Sequence, residues 1–254
     1  MLYRRLYQFF IIYFLGLAIL MAIKYGLQLS DYVIPGPSEI AQTGLRVSGR
    51  YLLNVLNTLA VAILGHILAI VLATVIGIIG RLTAWISSFI RVAAYNIQAY
   101  PIVAVAPIIF ILLGDGLSSR LLIAAMICYF PLLLSFIGIF SEPVPEIEHF
   151  FEATRRMNWQ LQIKIRAFEN IRKLITVVVG SATLAMVGTI VAEFIAADAG
   201  IGYSIRIALY QSDLAKILVA LFLIGICTSL YLVLLEWIGY RIRRRWEIPE
   251  GGLK

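Results

Sequence analysis

The chain has 254 residues, 61% of them hydrophobic and only 14% charged, with a formal net charge of +7. Soluble domains carry about a quarter charged residues, so a soluble globular enzyme, a disordered chain and a secreted disulfide scaffold are excluded. A membrane-embedded protein of one domain, residues 1–254, remains, with no room for a separate soluble catalytic domain. Cys128 and Cys227 both lie in apolar stretches, a setting that suggests neither a disulfide pair nor a metal site.

A membrane span takes about 20 mostly apolar residues, and the sequence predicts six, an all-α polytopic fold. The first is Phe9–Ile23, with Arg4 and Arg5 before it and no small-residue cleavage pattern after it, hence a retained helix. A break through Pro35-Gly36-Pro37-Ser38 leads to an amphipathic stretch ending near Arg50. The second span is Leu56–Ile79, stopped by Gly80-Arg81. The third, Phe89–Leu113, is interrupted by Pro101 and Pro107 and ended by Gly114-Asp115-Gly116. The fourth is Leu121–Phe140, followed by a polar segment, Ser141–Lys173. The fifth runs from Leu174 to about Ala197 and the sixth from about Ile217 to Tyr240.

Six spans put both termini on one side. With the N-terminus inside, the inner segments hold fifteen Lys and Arg residues and the outer ones six: Lys24, Arg46, Arg50, Arg120, Arg206 and Lys216. That bias predicts cytoplasmic termini in the inner (plasma) membrane. The basic excess is therefore a topology signal, and Arg241–Arg245 directly after a span reads as a membrane anchor, with no call for nucleic acid.

The inner segment Ser141–Lys173 holds eleven of the 35 charged residues. Phe150, Phe151, Ala153, Met157, Leu161, Ile163 and Ile165 lie among those charges at rough helical spacing, which predicts two short amphipathic helices at the inner surface. By itself the segment reads either as a solvated connector or as a docking element for a soluble partner, and loops of this length in compact proteins are usually functional.

Several strings carry a family resemblance in order along the chain. Phe151-Glu152-Ala153-Thr154-Arg155, then Trp159-Gln160, and one span later Val191-Ala192-Glu193-Phe194-Ile195-Ala196-Ala197-Asp198-Ala199-Gly200-Ile201-Gly202-Tyr203, resemble the permease subunit of an ABC importer. Pro35–Ile40, Pro101–Pro107, Phe110–Gly116 and Phe130-Pro131 resemble the subgroup that takes up nitrate, sulfonates, taurine, bicarbonate and thiamine precursors. The resemblance covers about residues 33–240 and implies a type I ABC importer permease fold. It implies that Phe151, Glu152, Ala153, Thr154, Arg155, Asn158 and Trp159 couple to a separate ATPase, which would hold the ATP and Mg. It further implies a second permease copy and a periplasmic or surface-anchored binding protein. The family's loop reads Glu-Ala-Ala, then Gly three or four residues later; here Thr154 replaces the second Ala and Asn158 takes the Gly position, with a shortened turn after it. No Gly-x-x-x-x-Gly-Lys-Ser/Thr phosphate loop occurs, so this chain is not the nucleotide-binding part and carries no cofactor of its own.

Polar groups within spans are expensive and so are functional candidates. Glu193 reads as a pathway or gate residue pairing with a cation such as Arg206, or as a structural hydrogen-bonding group; a residue shared across unlike cargoes favours the second. Tyr95, Asn96, Gln98 and Tyr100, before Pro101, either line a pore or hold helices together. Gly180, Ser181, Thr183, Ala185 and Gly188 suit close packing across a subunit interface or along the central path. His66 has no acidic neighbour in its span and reads as a satisfied histidine. Gly200 and Gly202 predict a tight turn over the outer mouth. Two other readings compete: a stand-alone secondary carrier or channel, which would want ionisable pairs at mid-membrane, and an intramembrane enzyme, which would want a reactive cluster at one depth.

Overall fold

The computed structural model describes residues 2–246, and every regular element among them is an α-helix. In chain order these are α1 (Leu2–Gly26), α2 (Pro37–Gly80), α3 (Ala84–Gln98), α4 (Ile102–Leu113), α5 (Leu117–Ser141), α6 (Pro145–Ala153), α7 (Trp159–Glu169), α8 (Ile171–Ile195), α9 (Ile201–Tyr210) and α10 (Leu214–Trp246). Five are long and apolar enough to cross a membrane, and α3 with α4 makes a sixth candidate, bent by 90°.

Helix packing fixes the directions of the spans. Asn57 meets Arg120, Gly65 meets Ala124 and Gly77 meets Phe136, so α2 and α5 run parallel. The chain between them, residues 81–116, must therefore return across the membrane, and α3 with α4 makes that return. Glu193 meets Arg120 and Gly188 meets Ala124, so α8 is antiparallel to α5. Arg5 bonds Glu236 and Tyr13 bonds the Leu218 carbonyl, so α1 is antiparallel to α10. With α10 parallel to α2 through Gly44–Val219 and His66–Tyr231, six crossings leave both ends of the described chain on one side.

Two expectations need correcting. The amphipathic stretch before Arg50 is not a separate element: α2 is one helix of 44 residues. At 1.5 Å per residue it is about 66 Å long, twice the hydrocarbon thickness and longer than an upright span needs. The third span is interrupted at Pro101 as expected, breaking at Ala99-Tyr100-Pro101, where Pro101 caps α4 with extended backbone; Pro107, expected to interrupt it as well, sits inside α4 without ending it. A proline disfavours helical backbone in the residue before it, here Tyr100, and α3 ends at Gln98 with Ala99 as its C-cap.

The core lies between α2, α5 and α8, around Cys128, Leu132, Phe136 and Ile137. Lipid supplies little hydrophobic drive for association, so close approach of small residues does the work. A side chain at Gly65 would sit 2.8 Å from the Ala124 Cβ, and one at Gly188 would sit 2.9 Å from the Ala124 Cα. Gly188, expected at a subunit interface or the central path, is buried against α5 of its own chain, whereas Gly180 faces open space. His66 is fully buried and satisfied, with Nδ1 2.7 Å from the Tyr231 hydroxyl and Nε2 2.8 Å from Ser181 Oγ.

Candidate functional site

Two polar constellations stand at opposite ends of the spans. With inner naming the end of the bundle that bears both ends of the described chain and outer the opposite end, the outer one forms where α8 ends. Glu193 is 0% exposed, and its Oε2 accepts hydrogen bonds from the Thr58 hydroxyl at 2.7 Å and the Gly202 N–H at 3.0 Å. Its Oε1 faces Arg120 Nη1 at 3.3 Å, and the same nitrogen donates to Asn57 Oδ1 at 2.9 Å. The Ile201 N–H donates to the Thr58 hydroxyl at 2.9 Å. The unpaired N–H groups at the start of α9 thus end on Thr58 and Glu193, which suits a carboxylate at a helix N-terminus. One carboxylate ties α2, α5, α8 and α9 together.

The glycines of this motif have two separate reasons. Gly200 takes φ +92°, and a side chain there would strike the Glu193 carboxylate. Gly202 does not form the expected turn; it lies inside α9, where a side chain would collide with the Ile190 carbonyl. The outer loop is thus largely a helix docked on α8. Arg206 is not the partner of Glu193. It donates to the carbonyls of Ile195 at 2.8 Å and Ala197 at 2.7 Å, satisfying the C-terminal end of α8.

The inner constellation is the predicted helix pair, α6 and α7. Its staple is Glu148, which is only 5% exposed. Glu148 accepts from Arg166 Nε at 2.6 Å and Nη2 at 2.9 Å, from Gln162 at 2.9 Å and from the Val144 N–H at 3.1 Å. Arg166 Nη1 also donates to the Phe140 carbonyl at 2.7 Å, clamping α7 to the end of α5. Arg81, just after α2, donates to the Trp159 carbonyl at 3.2 Å and to the Gln162 side chain. The Arg166 guanidinium, above all by its hydrogen bonds, holds the Glu148 carboxyl down at about 2. The pair is therefore bolted to the inner ends of α2 and α5 and runs almost directly into α8.

The exposed edge of this pair carries the predicted coupling residues. Glu152, Ala153, Thr154, Arg155, Asn158 and Trp159 are exposed, and Phe151 is half-buried. Phe150 and Trp159 stand 62% and 60% exposed beside them. Helix α6 ends in a Schellman motif: the Arg156 N–H bonds the Phe151 carbonyl and the Arg155 N–H bonds the Glu152 carbonyl, both at 2.9 Å. Arg155 takes the left-handed position with φ +52°, while Asn158 is extended and caps α7 by accepting from the Leu161 N–H at 2.8 Å. The position that favours glycine in this turn is thus residue 155. Arg155→Gly should steady the turn by roughly 1 kcal/mol, the left-handed cost of a residue with a Cβ. Slower amide exchange at Arg156 and Met157 is the expected reading.

Tyr95, Asn96, Gln98 and Tyr100 share the exposed corner where α3 meets α4. Gly188 and Glu193 are buried between helices, so these six residues do not form one lining in the single chain. Sequence reasoning missed Thr58, Arg120, Glu148 and Arg166. The last two carried a usable signal, since each interrupts the apolar stripe of a short amphipathic helix, Glu148 between Ile147 and Phe151 and Arg166 beside Ile163.

The comparisons agree with this architecture. The riboflavin transport system permease protein RibX of Chloroflexus aurantiacus is 32% identical over 163 residues, 64% of this chain and 60% of that protein. The formylaminopyrimidine transport permease protein ThiX of Halalkalibacterium halodurans is 23% identical over 220 residues, 85% of this chain and 86% of that protein. This chain therefore spans less than two thirds of the length of RibX. Residues 65–248, which include the helix pair and Arg120, Glu193 and Gly202, match the family described as binding-protein-dependent transport system inner membrane component, and the chain belongs to that family.

Proposed function

We propose that the chain is the membrane-spanning permease subunit of an ATP-driven ABC importer, forming the path for a small solute and doing no chemistry itself. The observation that carries this is the exposed Phe151–Trp159 edge on a helix pair clamped to the inner ends of α2 and α5. A rigid pair docked in a partner transmits a rigid-body motion to the spans that bear it. The partner is an ATPase carrying ATP and Mg, two permease copies enclose the path, and an external binding protein delivers the solute. The inner side is the cytoplasm and both termini lie there, in keeping with the Lys and Arg bias.

The relatives' names point to the solute class. RibX is named for riboflavin and ThiX for formylaminopyrimidine, so a heterocyclic vitamin or vitamin precursor fits better than an inorganic anion or a sulfonate. Glu152→Ala should leave the chain in the membrane and abolish both uptake and solute-stimulated ATP hydrolysis. Full uptake in that variant, or a purified complex that contains no ATPase, would overturn the proposal.

A further inference from the structure

The corner where α3 meets α4 is polar at a depth where hydrocarbon does not solvate polar groups. Ala94, just before it, belongs to the core group of Cys128 and Leu132. Ile102, just after it, packs with Met126 and Ile127 around Ile123. These partners lie in the body of α5, clear of both its ends, so the break stands well inside the span. Tyr95 is 61% and Tyr100 69% exposed there, with Asn96 and Gln98 exposed beside them. None of the four side chains is hydrogen-bonded within the described residues, and Pro101 offers no side-chain cap to the first N–H groups of α4. Open backbone and unpaired amides at membrane depth persist only against protein or along a water-filled cavity.

The same depth carries no fixed charge. The bent span packs on α2, α5 and α8, and no Asp, Glu, Lys or Arg occurs in residues 92–114, 51–80, 121–141 or 174–192. An ionic solute would meet no counter-charge at this level. A neutral one would meet amide donors and acceptors from Asn96 and Gln98 and the faces of two phenol rings. That set matches a flat molecule whose edge hydrogen-bonds and whose face stacks.

We propose that the α3–α4 corner, one from each of two copies, is where the solute path meets its cargo, and that it selects a neutral, planar heterocycle. Tyr95 and Tyr100 stack on the ring system, and Asn96 and Gln98 bond its edge. This rests on the transport reading and adds to it which residues touch the solute and what they reject.

Cysteine labelling of the full importer in liposomes tests it, using a membrane-impermeant methanethiosulfonate. The native Cys128 and Cys227 are buried and should stay silent. Asn96→Cys and Gln98→Cys should react about tenfold or more faster than Leu230→Cys, because the reactive thiolate needs water. Leu230 is the fair control, being 45% exposed beside Tyr231, which bonds His66 within the span. Riboflavin or formylaminopyrimidine should slow labelling of Gln98→Cys, whereas nitrate and taurine should not. Adding Tyr95→Leu and Tyr100→Leu should raise the heterocycle concentration for half-protection by about tenfold or more; Tyr95→Phe with Tyr100→Phe should hold it near the starting value. Equally slow labelling at all three positions, labelling that neither heterocycle slows, or protection by nitrate or taurine would overturn the inference. Any of these in a complex that still couples solute to ATP hydrolysis would leave the transport reading standing, whereas a complex without an ATPase would overturn both.

Discussion

Glu193→Ala should destabilise the chain by about 3–5 kcal/mol, the cost of removing one partner from a buried ion pair. Arg120 would be left as a buried guanidinium without its counter-ion, and the Thr58 hydroxyl and the Gly202 N–H would lose their acceptor. Thermal unfolding in detergent should show the loss, and the Ile201 and Gly202 amides should exchange fastest as α9 leaves α8. Glu193→Gln keeps an acceptor for Thr58 and Gly202 and should lose less. The decisive comparison is a double-mutant cycle with Arg120. If the cluster is a structural knot, Arg120→Met with Glu193→Met should be more stable than either single variant, because no orphaned charge remains. Uptake should return with it. A double variant that is stable yet inactive would instead make Glu193 part of the solute path.

The spans were readable because hydropathy depends only on local composition, and five of them needed no tertiary information. The parallel run of α2 and α5 was not readable, since it rests on Gly65 and Ala124 meeting across some sixty residues of chain. The position of the break at Pro101 follows from local sterics, but its 90° angle comes from α4 packing Ala106, Ile109 and Phe110 against α5 and α8. Helix α9 hid in an apparent loop because it is only ten residues long and carries Gly202, a poor helix former. What makes that glycine necessary is the Ile190 carbonyl of another helix. Glu193 itself stood out as a carboxylate in an apolar run, yet its cation was misassigned to Arg206, the nearer in sequence. Proximity in sequence is a weak guide in a bundle where Arg120 of α5, 73 residues away, reaches Glu193.

The inner staple should show a distinctive response to pH. Held at about 2 in the folded chain against an ordinary value of 4.5, the Glu148 carboxyl has a depressed pKa. Its stabilising contribution is therefore fully present above about pH 4.5 and is lost as the pH falls from there through 2. Amide exchange within α6 and α7 should stay slow at neutral pH and quicken across that acid window, while the core of α5 around Leu132 does not follow. Glu148→Gln should remove the acid response and leave the pair looser at every pH, because a neutral amide oxygen accepts from Arg166 more weakly than a carboxylate. Arg166→Ala should cost more, about 3–5 kcal/mol, since it orphans Glu148 and also frees the Phe140 carbonyl that clamps α7 to α5. The two variants differ in what they should do to transport. With Glu148→Gln the clamp on Phe140 survives, so uptake should fall only in part. With Arg166→Ala the helix pair loses its grip on α5, so ATP hydrolysis by the docked partner should continue while uptake stops. Loss of both activities together in Arg166→Ala, with the complex still assembled, would mean that the pair governs docking rather than the transmission of motion.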